Sequence, residues 1–209
     1  MKSRVFLIAL ALLMGLAIAP NHAQAEAKKL PMVEANESGL YAQPWFKETF
    51  LDLKEDMAEA KAEGKQLVVF WEQKGCPYCR ETHAVNLRKP KTVDYIKKHF
   101  FVVQLNLWGD REVVDVDGTP TTEKKLARKH RVQFTPTIQF FPQDPPKEAG
   151  VSSRDYEVWR LMGYWKPFHF HHTFQYVHEK GYVSQPNFQR WLSAVAEEYQ
   201  AQGKEINLW

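Results

Sequence analysis

The sequence contains few cysteines and no large excess of charge. Only 2 of its 209 residues are cysteine, which excludes a small fold held together by several disulfides. Basic side chains outnumber acidic ones by 28 to 25, a net charge of +3, and this excludes the strongly basic surface typical of nucleic-acid binding. Apolar residues make up 44% of the chain and charged residues 25%, a composition typical of a globular protein rather than a disordered one.

Long apolar runs are also scarce. The clear one extends from Val5 to Ala19, after Lys2 and Arg4, and precedes Ala23-Gln24-Ala25. This order of charged, apolar and small residues is that of a secretory signal peptide. The run is shorter than the roughly 20 residues of a membrane-spanning helix, although an uncleaved anchor remains the alternative. We therefore expect export to the periplasm, cleavage near Ala25 and no stable membrane anchor.

The rest of the chain predicts one domain after a signal peptide at 1–25. Residues 26–44 are polar and interrupted by proline, which indicates an extended lead-in; the domain follows at 45–202 and a tail at 203–209. Helical patterns occupy residues 45–63, 76–87, 91–99, 122–130, 167–178 and 186–202, and strand patterns occupy residues 65–71, 100–107, 138–141 and 157–162. This order predicts an α/β domain with a mixed central sheet, in which residues 108–121 form a polar loop.

The strongest chemical signal is Cys76-Pro77-Tyr78-Cys79. Two cysteines at i and i+3 at a helix start have Cα atoms about 5–6 Å apart, which suits a disulfide. Free backbone N–H groups and the helix dipole favour a thiolate at Cys76, which makes it the nucleophile and Cys79 the resolving thiol. Two alternatives stay open. A structural disulfide would close too short a loop to add much stability, and half of a zinc site would need further ligands.

This motif follows the strand-like segment 67–71 and precedes a distant Thr135-Pro136-Thr137 that opens another strand. The combination resembles the thioredoxin fold. The resemblance implies a mixed central sheet flanked by helices, here with an N-terminal helical extension and an extra C-terminal helix. It also implies a cis Pro136 beside the disulfide. Thr135, Pro77 and Tyr78 would then lie in the substrate groove, and Gly163 on its far rim.

A closer resemblance covers most of the chain beyond the signal peptide. The residues that carry it are Glu72, Cys76, Cys79, His83, residues 102–113, Asp117-Gly118, Thr122-Glu123, Leu126-Ala127 and the TPT-x-x-FF segment at 135–141. They resemble the SoxW-type thioredoxins, periplasmic proteins often encoded with sulfur-oxidation systems. This resemblance implies thiol–disulfide exchange with exported clients, such as a sulfur carrier or a cytochrome maturation protein.

The resemblance leaves the direction of electron flow open. A reductase is our leading hypothesis, and it requires a membrane thiol transporter as electron donor. The alternatives are a disulfide oxidase or isomerase, and a module that binds copper or zinc through the two cysteines. No cofactor is implied by the sequence.

The sequence departs from the thioredoxin pattern where a buried aspartate is usual. Val69 occupies that position, one residue is inserted before Cys76, and Gly75 replaces the usual tryptophan. Proton transfer to Cys79 then needs another group, for which Glu72 is the candidate and water the alternative, while Glu72 could equally be a surface residue without a role. His83, four residues after Cys79, is either a proton shuttle or a polar residue of the helix surface.

A group of histidines in the helix predicted at 167–178 could be mistaken for a metal site. The group comprises His169, His171, His172 and His178. We expect the interleaved apolar residues to form the buried stripe and the histidines to lie on the solvated side, without a metal. The tryptophans at 108, 159, 165 and 191 are interpreted as core or groove-lining residues, and Trp71 or Tyr78 as possible peptide contacts.

Overall fold

The computed structural model describes residues 28–144 and 153–209, so the predicted signal peptide lies outside the described residues. The helices are α1 (Leu53–Ala62), α2 (Pro77–Val85), α3 (Pro90–His99), α4 (Glu123–Lys129), α5 (Ser153–Tyr156), α6 (Pro167–His178), α7 (Gly181–Ser184) and α8 (Phe188–Ala201). The strands are β1 (Gln66–Glu72), β2 (Phe100–Asn106), β3 (Glu112–Val114), β4 (Pro120–Thr122), β5 (Thr137–Phe140) and β6 (Trp159–Met162). Within the described ranges, no helix is both long and apolar enough to span a membrane.

A four-stranded mixed sheet in the order β2-β1-β5-β6 forms the centre of the fold. β1 pairs in parallel with β2, and β5 runs antiparallel to both β1 and β6. Every residue of β1 is buried, as expected for a continuous apolar strand in the middle of a covered sheet. The predicted fold class, a thioredoxin-like mixed sheet flanked by helices, is confirmed.

Helices cover both faces of the sheet because successive side chains of a strand point in opposite directions. Val68 and Phe70 of β1 belong to a core that includes residues of α3, α6 and α8. Leu67, Val69 and Trp71 belong to a second core with residues of α1 and α4. The fully buried Trp71 therefore cannot contact a peptide, and that interpretation of it was wrong.

The first helix is shorter than its apolar pattern predicts. It begins at Leu53 and not near residue 45, because the Asp52 side chain caps it by accepting hydrogen bonds from the backbone N–H groups of Lys54 and Glu55. Phe50, which fits the apolar pattern, lies before this cap and is 99% exposed.

The segment between β2 and α4 contains more structure than a polar loop. Strands β3 and β4 pair as a small antiparallel hairpin, with Asp117 and Gly118 in its turn. A parallel bridge joins Asp52 to Val114 and ties this hairpin to the start of α1. Three-residue strands are too short to give a clear alternating pattern, which is why the sequence did not predict them.

The bounds predicted for α6 are confirmed, but the expected exposure of its histidines was wrong. His171 and His172 are only 6% and 2% exposed. The helix packs on more than one side, since Phe174 contacts Phe70 of the sheet while His171 contacts Tyr95 of α3. A helix covered in this way has no single solvated face.

Candidate active site

The sheet register brings the cysteine motif and the Thr135–Pro136 segment together. Cys76 follows the end of β1, and Thr135 precedes the start of β5. Because these strands are antiparallel, with Trp71 opposite Thr137, the end of one lies beside the start of the other. Gly75 has a φ of +72°, a conformation that glycine adopts without steric cost, and it turns the chain from β1 into α2.

Cys76 and Cys79 form a disulfide with a Cα–Cα distance of 5.2 Å, within the range predicted from their spacing. Cys76 is the N-cap of α2, and its sulfur accepts a hydrogen bond of 3.0 Å from the backbone N–H of Cys79. The hydroxyl of Thr135 donates to the same sulfur at 3.2 Å. Two donors therefore point at Cys76 Sγ, which is the arrangement that stabilises negative charge on it when the disulfide is reduced.

The residues predicted to form the groove lie around the disulfide. Pro77 occupies the first turn of α2, and Tyr78 is 61% exposed. The Thr135–Pro136 bond is cis, and the Thr135 carbonyl oxygen lies 3.5 Å from Cys76 Sγ. The backbone N–H of Gly163 donates to the Pro136 carbonyl at 2.8 Å. Thr135 therefore contacts Cys76 directly, and Gly163 is joined to this segment through Pro136. The binding of a substrate between these residues stays a prediction.

Glu72 and His83 form a buried pair one helical turn beyond Cys79. Glu72 Oε1 and His83 Nε2 are 2.8 Å apart, and both side chains are fully shielded from solvent. Glu72 is the last residue of β1, and His83 projects from α2, which packs over that strand end. The alternatives of a surface glutamate and a histidine on the helix surface are therefore wrong, since neither side chain reaches the surface.

Two glutamines complete this pair. Neither was singled out as a site residue from the sequence, although Gln104 lies within residues 102–113. Gln43 Nε2 donates to His83 Nδ1 at 3.0 Å, so the other ring nitrogen carries the proton that faces Glu72. Gln104 Nε2 of β2 donates to Glu72 Oε2 at 3.0 Å. The Glu72 carboxylate thus accepts at both oxygens, as a buried carboxylate requires.

The lead-in is packed against the domain and supplies part of this network. Gln104 Nε2 also donates to the Tyr41 carbonyl at 2.7 Å, and the Tyr41 ring packs against His83 with centroids 5.8 Å apart. The N–H of Lys47 donates to the Val102 carbonyl on the outer edge of β2. Residues 41–47 therefore cover the sheet edge and close the pair off from solvent.

A polar cavity of about 660 Å³ lies beside this network. Its walls include Gln43 and Gln104, together with residues of the lead-in and of the segment after β2. Both glutamines therefore contact the Glu72–His83 pair and also line the cavity. This position gives the buried pair neighbours that can exchange hydrogen bonds with water.

A metal centre finds no support among the described residues. In residues 28–144 and 153–209 no three His, Cys, Asp or Glu side chains are grouped so that they could hold a metal ion. His172 instead bonds within the protein, with Nδ1 donating to the Phe168 carbonyl at 2.7 Å. The two cysteines are bonded to each other.

Several solved structures of bacterial proteins are similar to this chain. A thioredoxin-fold protein from Helicobacter pylori is 20% identical, with 73% of this chain and 98% of that chain covered and a TM-score of 0.49. A thioredoxin from Thermus thermophilus is 25% identical over 60% of this chain and 83% of its own, with a TM-score of 0.46. The oxidised C-terminal domain of Neisseria meningitidis DsbD is 15% identical over 62% and 96%, with a TM-score of 0.41.

No curated protein matches the sequence. The model of the thioredoxin-like domain family, in contrast, matches residues 53–178, a range that includes both cysteines, Glu72, His83 and Pro136. A domain of this family with a bonded cysteine pair at CxxC spacing supports thiol–disulfide exchange as its general chemistry. The chain belongs to the thioredoxin-like domain family.

Proposed function

We propose that the protein is an exported thiol–disulfide oxidoreductase that reduces disulfides in client proteins. The observation that carries the direction is the buried Glu72–His83 pair. His83 lies four residues after Cys79 on α2, which places the two on one helix face. A base at this position promotes attack by Cys79 on a mixed disulfide. That attack releases a reduced client, whereas an oxidase works better when its second cysteine is slow to attack.

The cycle begins with the reduced protein, in which Cys76 is the nucleophile. Its thiolate attacks one sulfur of the client disulfide, and the other client sulfur leaves as a thiolate that takes a proton from solvent. The N–H of Cys79 and the hydroxyl of Thr135, at 3.0 and 3.2 Å from Cys76 Sγ, stabilise the attacking thiolate. The product is a mixed disulfide between Cys76 and the client.

The second step closes the cysteine pair. Cys79 loses its proton to the Glu72–His83 pair, and the resulting thiolate attacks Cys76 Sγ. The bond between Cys76 and the client breaks, and the second client sulfur leaves as a thiol after taking up a proton. Two electrons have then passed to the client, and the protein is left with the Cys76–Cys79 disulfide.

A further round requires two electrons from a partner in the same compartment. The resemblance of this chain to SoxW-type thioredoxins supports a periplasmic location, with a membrane thiol transporter as donor. It also supports a sulfur carrier or a cytochrome maturation protein as client. The apolar run at 5–19 followed by Ala23-Gln24-Ala25 supports export.

Trapping of clients tests the proposal. The Cys79→Ser variant lacks the resolving thiol, so we expect it to accumulate mixed disulfides at Cys76 with exported proteins, visible as bands that disappear on reduction. Cys76→Ser is the matched control and should trap none. Absence of trapped clients with Cys79→Ser in the periplasmic fraction would overturn the client-reductase function, and recovery of the protein only from the cytoplasm would overturn the location.

An oxidase is the second candidate, and the two donors on Cys76 Sγ favour it. Stabilising that thiolate favours the reduced protein and so makes the disulfide a stronger oxidant. Equilibration with dithiothreitol and glutathione buffers decides between the two. We expect a potential near the roughly −270 mV of thioredoxin, while a value near about −120 mV would identify a disulfide donor.

A further inference from the structure

Bulky apolar side chains are exposed on the segments that surround the disulfide. Large apolar side chains in water are usually scattered singly, and a group of them marks an interaction surface. Four of those in the described part of the chain belong to these segments: Tyr78 (61% exposed), Trp108 (64%), Phe134 (47%) and Met162 (53%). Tyr78 lies between the cysteines, Phe134 precedes Thr135, and Met162 pairs with Thr137 across β5 and β6.

Trp108 reaches this face because β1 and β2 are parallel. The two strands end side by side, with Glu72 opposite Asn106, so the chain that leaves β2 runs beside the chain that leads from β1 to Cys76. The N–H of Leu107 donates to the Glu72 carbonyl at 2.8 Å. The indole N–H of Trp108 then donates to Gln73 Oε1, also at 2.8 Å. The exposed ring is thereby fixed to the loop that precedes Cys76.

These contacts preorganise the Trp108 ring for binding. The hydrogen bond to Gln73 satisfies the polar edge of the indole, and a second bond, from the Trp108 N–H to Asn106 Oδ1 at 3.1 Å, fixes its backbone. Little conformational entropy remains to be lost when a partner covers the ring. Tryptophan is also the side chain that most often dominates binding energy at protein interfaces.

We propose that Trp108 selects clients by binding a bulky apolar side chain that neighbours the client cysteine, with Phe134 and Met162 on the opposite wall. This inference rests on the proposed function. A client sulfur at Cys76 Sγ, on an extended segment beside Thr135, places its neighbours about 3.3 Å per residue to either side. The first and second neighbours then fall within reach of these apolar side chains.

The charges near the cysteines further limit which client sequences can bind. Lys74 and Arg80 flank the motif and are exposed, and the half-buried Glu81 is the only carboxylate among residues 73–81. A cationic client segment would be repelled here, whereas a neutral or acidic one would not. The occupant is therefore an extended client segment with a bulky apolar residue beside its cysteine and without lysine or arginine next to it.

Competition between two model substrates tests the role of Trp108. The substrates are disulfide-linked peptides that differ only in the residue beside the cysteine, phenylalanine in one and serine in the other. We expect the reduced wild type to react about tenfold faster with the phenylalanine peptide, the effect of a single good apolar contact. Trp108→Ala should remove this preference. The rate of each protein with hydroxyethyl disulfide, which has no side chains to bind, is the reference against which its two peptide rates are compared.

Two further variants distinguish a loss of client recognition from a general loss of activity. Gln73→Ala releases the indole and should reduce the preference in part. Val183→Ala removes another exposed apolar side chain, 69% exposed and in α7, which follows the end of α6 that packs on Phe100 at the start of β2, and should leave the preference intact. A preference retained by Trp108→Ala, or an equal loss of rate with both peptides and with hydroxyethyl disulfide, would overturn the inference alone. A wild type that reduces none of the three disulfides would overturn the proposed function, and this inference with it.

Discussion

His83 and Glu72 lie 2.8 Å apart and neither side chain is exposed. The bond from Gln43 to the other ring nitrogen of His83 sets the direction of the contact, so that His83 donates to the carboxylate. The pair is placed between a resolving cysteine one helical turn away and two glutamines that line a polar cavity. The pair is the acceptor that the proposed function assigns to the Cys79 proton.

Removing the carboxylate should slow the second half of the cycle and leave the first half intact. For Glu72→Gln we expect formation of the mixed disulfide at the wild-type rate and resolution by Cys79 about 100-fold slower, since general-base catalysis is typically worth at least that much. Quenched-flow trapping of the mixed disulfide with a model peptide measures the two rates separately.

Glu123→Gln is the matched control. Glu123 is a carboxylate of similar burial, 1% exposed, but it accepts from the Asn106 N–H and from Arg111 and not from His83. It should leave both rates unchanged. Resolution by Glu72→Gln at the wild-type rate would mean that Cys79 loses its proton directly to water.

Asp56 of α1 should make the protein less stable as the pH rises. Burial, with Asp52, Glu59 and Glu55 nearby, raises the pKa of Asp56 to about 7 against the single opposing bond from Thr49. The unfolded carboxyl has a pKa near 3.9. Between about pH 4 and pH 7 the folded chain therefore holds a proton that the unfolded chain has released. Stability falls with rising pH across this window, by at most about 1.4 kcal/mol per pH unit.

Asp56→Asn should remove this dependence while retaining an oxygen for Thr49. In urea unfolding we expect the variant to gain on the wild type between pH 5 and about pH 7, with the difference in free energy of unfolding growing over this range and levelling off by pH 8. Asp94→Asn, at an exposed position of α3, should show no such trend. An Asp56→Asn advantage that is equal at pH 5 and pH 8 would show that the folded carboxyl titrates normally.

His171 should be replaceable by leucine with a gain in stability. Its side chain is 94% buried, and within residues 28–144 and 153–209 neither ring nitrogen has a hydrogen-bond partner. Burial, aided by His172 and Lys91, lowers the pKa of His171 to about 3. His171→Leu should add about 1–3 kcal/mol to the free energy of unfolding at pH 7, since an unsatisfied buried polar group is removed.

The advantage of His171→Leu should grow in acid. Below about pH 6.5 the histidine of the unfolded chain becomes protonated, whereas His171 of the folded chain stays neutral down to about pH 3. The wild type therefore loses stability as the pH falls from about 6.5 to about 3. His172→Leu provides the contrast, because it discards the bond to the Phe168 carbonyl and should destabilise at pH 7. Equal changes in the free energy of unfolding for His171→Leu and His172→Leu would contradict the destabilising role assigned to the unsatisfied ring nitrogens of His171.

The sequence predicted the parts of this fold that depend on local pattern. The bounds of α6, the buried strand β1 and the cysteine motif at the start of α2 all follow from periodicity, apolar runs and helix-start chemistry. The start of α1 was wrong because the apolar spacing continues through Phe50, while the cap at Asp52 determines where the helix begins. The hairpin of β3 and β4 was missed because its strands are held by one another and by Asp52.

The sequence alone did not predict which distant segments contact each other. Glu72 and His83 were each singled out, but only the packing of α2 over the end of β1 makes them a pair. Gln43 belongs to no motif. Gln104 lies within residues 102–113, which carry the closer resemblance, but no role followed from it because amide side chains are common on surfaces. Trp108 was interpreted as a core or groove residue. Its 64% exposure shows that the core alternative is wrong, and the groove role stays a prediction.

The lead-in, residues 26–44, affects which part of the chain would have to be transferred to rebuild this site in another protein. The family match begins at residue 53, yet Tyr41, which packs against His83, and Gln43, which donates to His83 Nδ1, both precede it. A graft of residues 53–178 onto another scaffold would carry the cysteines, Glu72 and His83. Without Tyr41 and Gln43, however, the His83 imidazole would be open to solvent, and neither of its two tautomers would be favoured by a fixed hydrogen bond. The smallest transferable unit of this candidate site therefore starts before the residues that match the family.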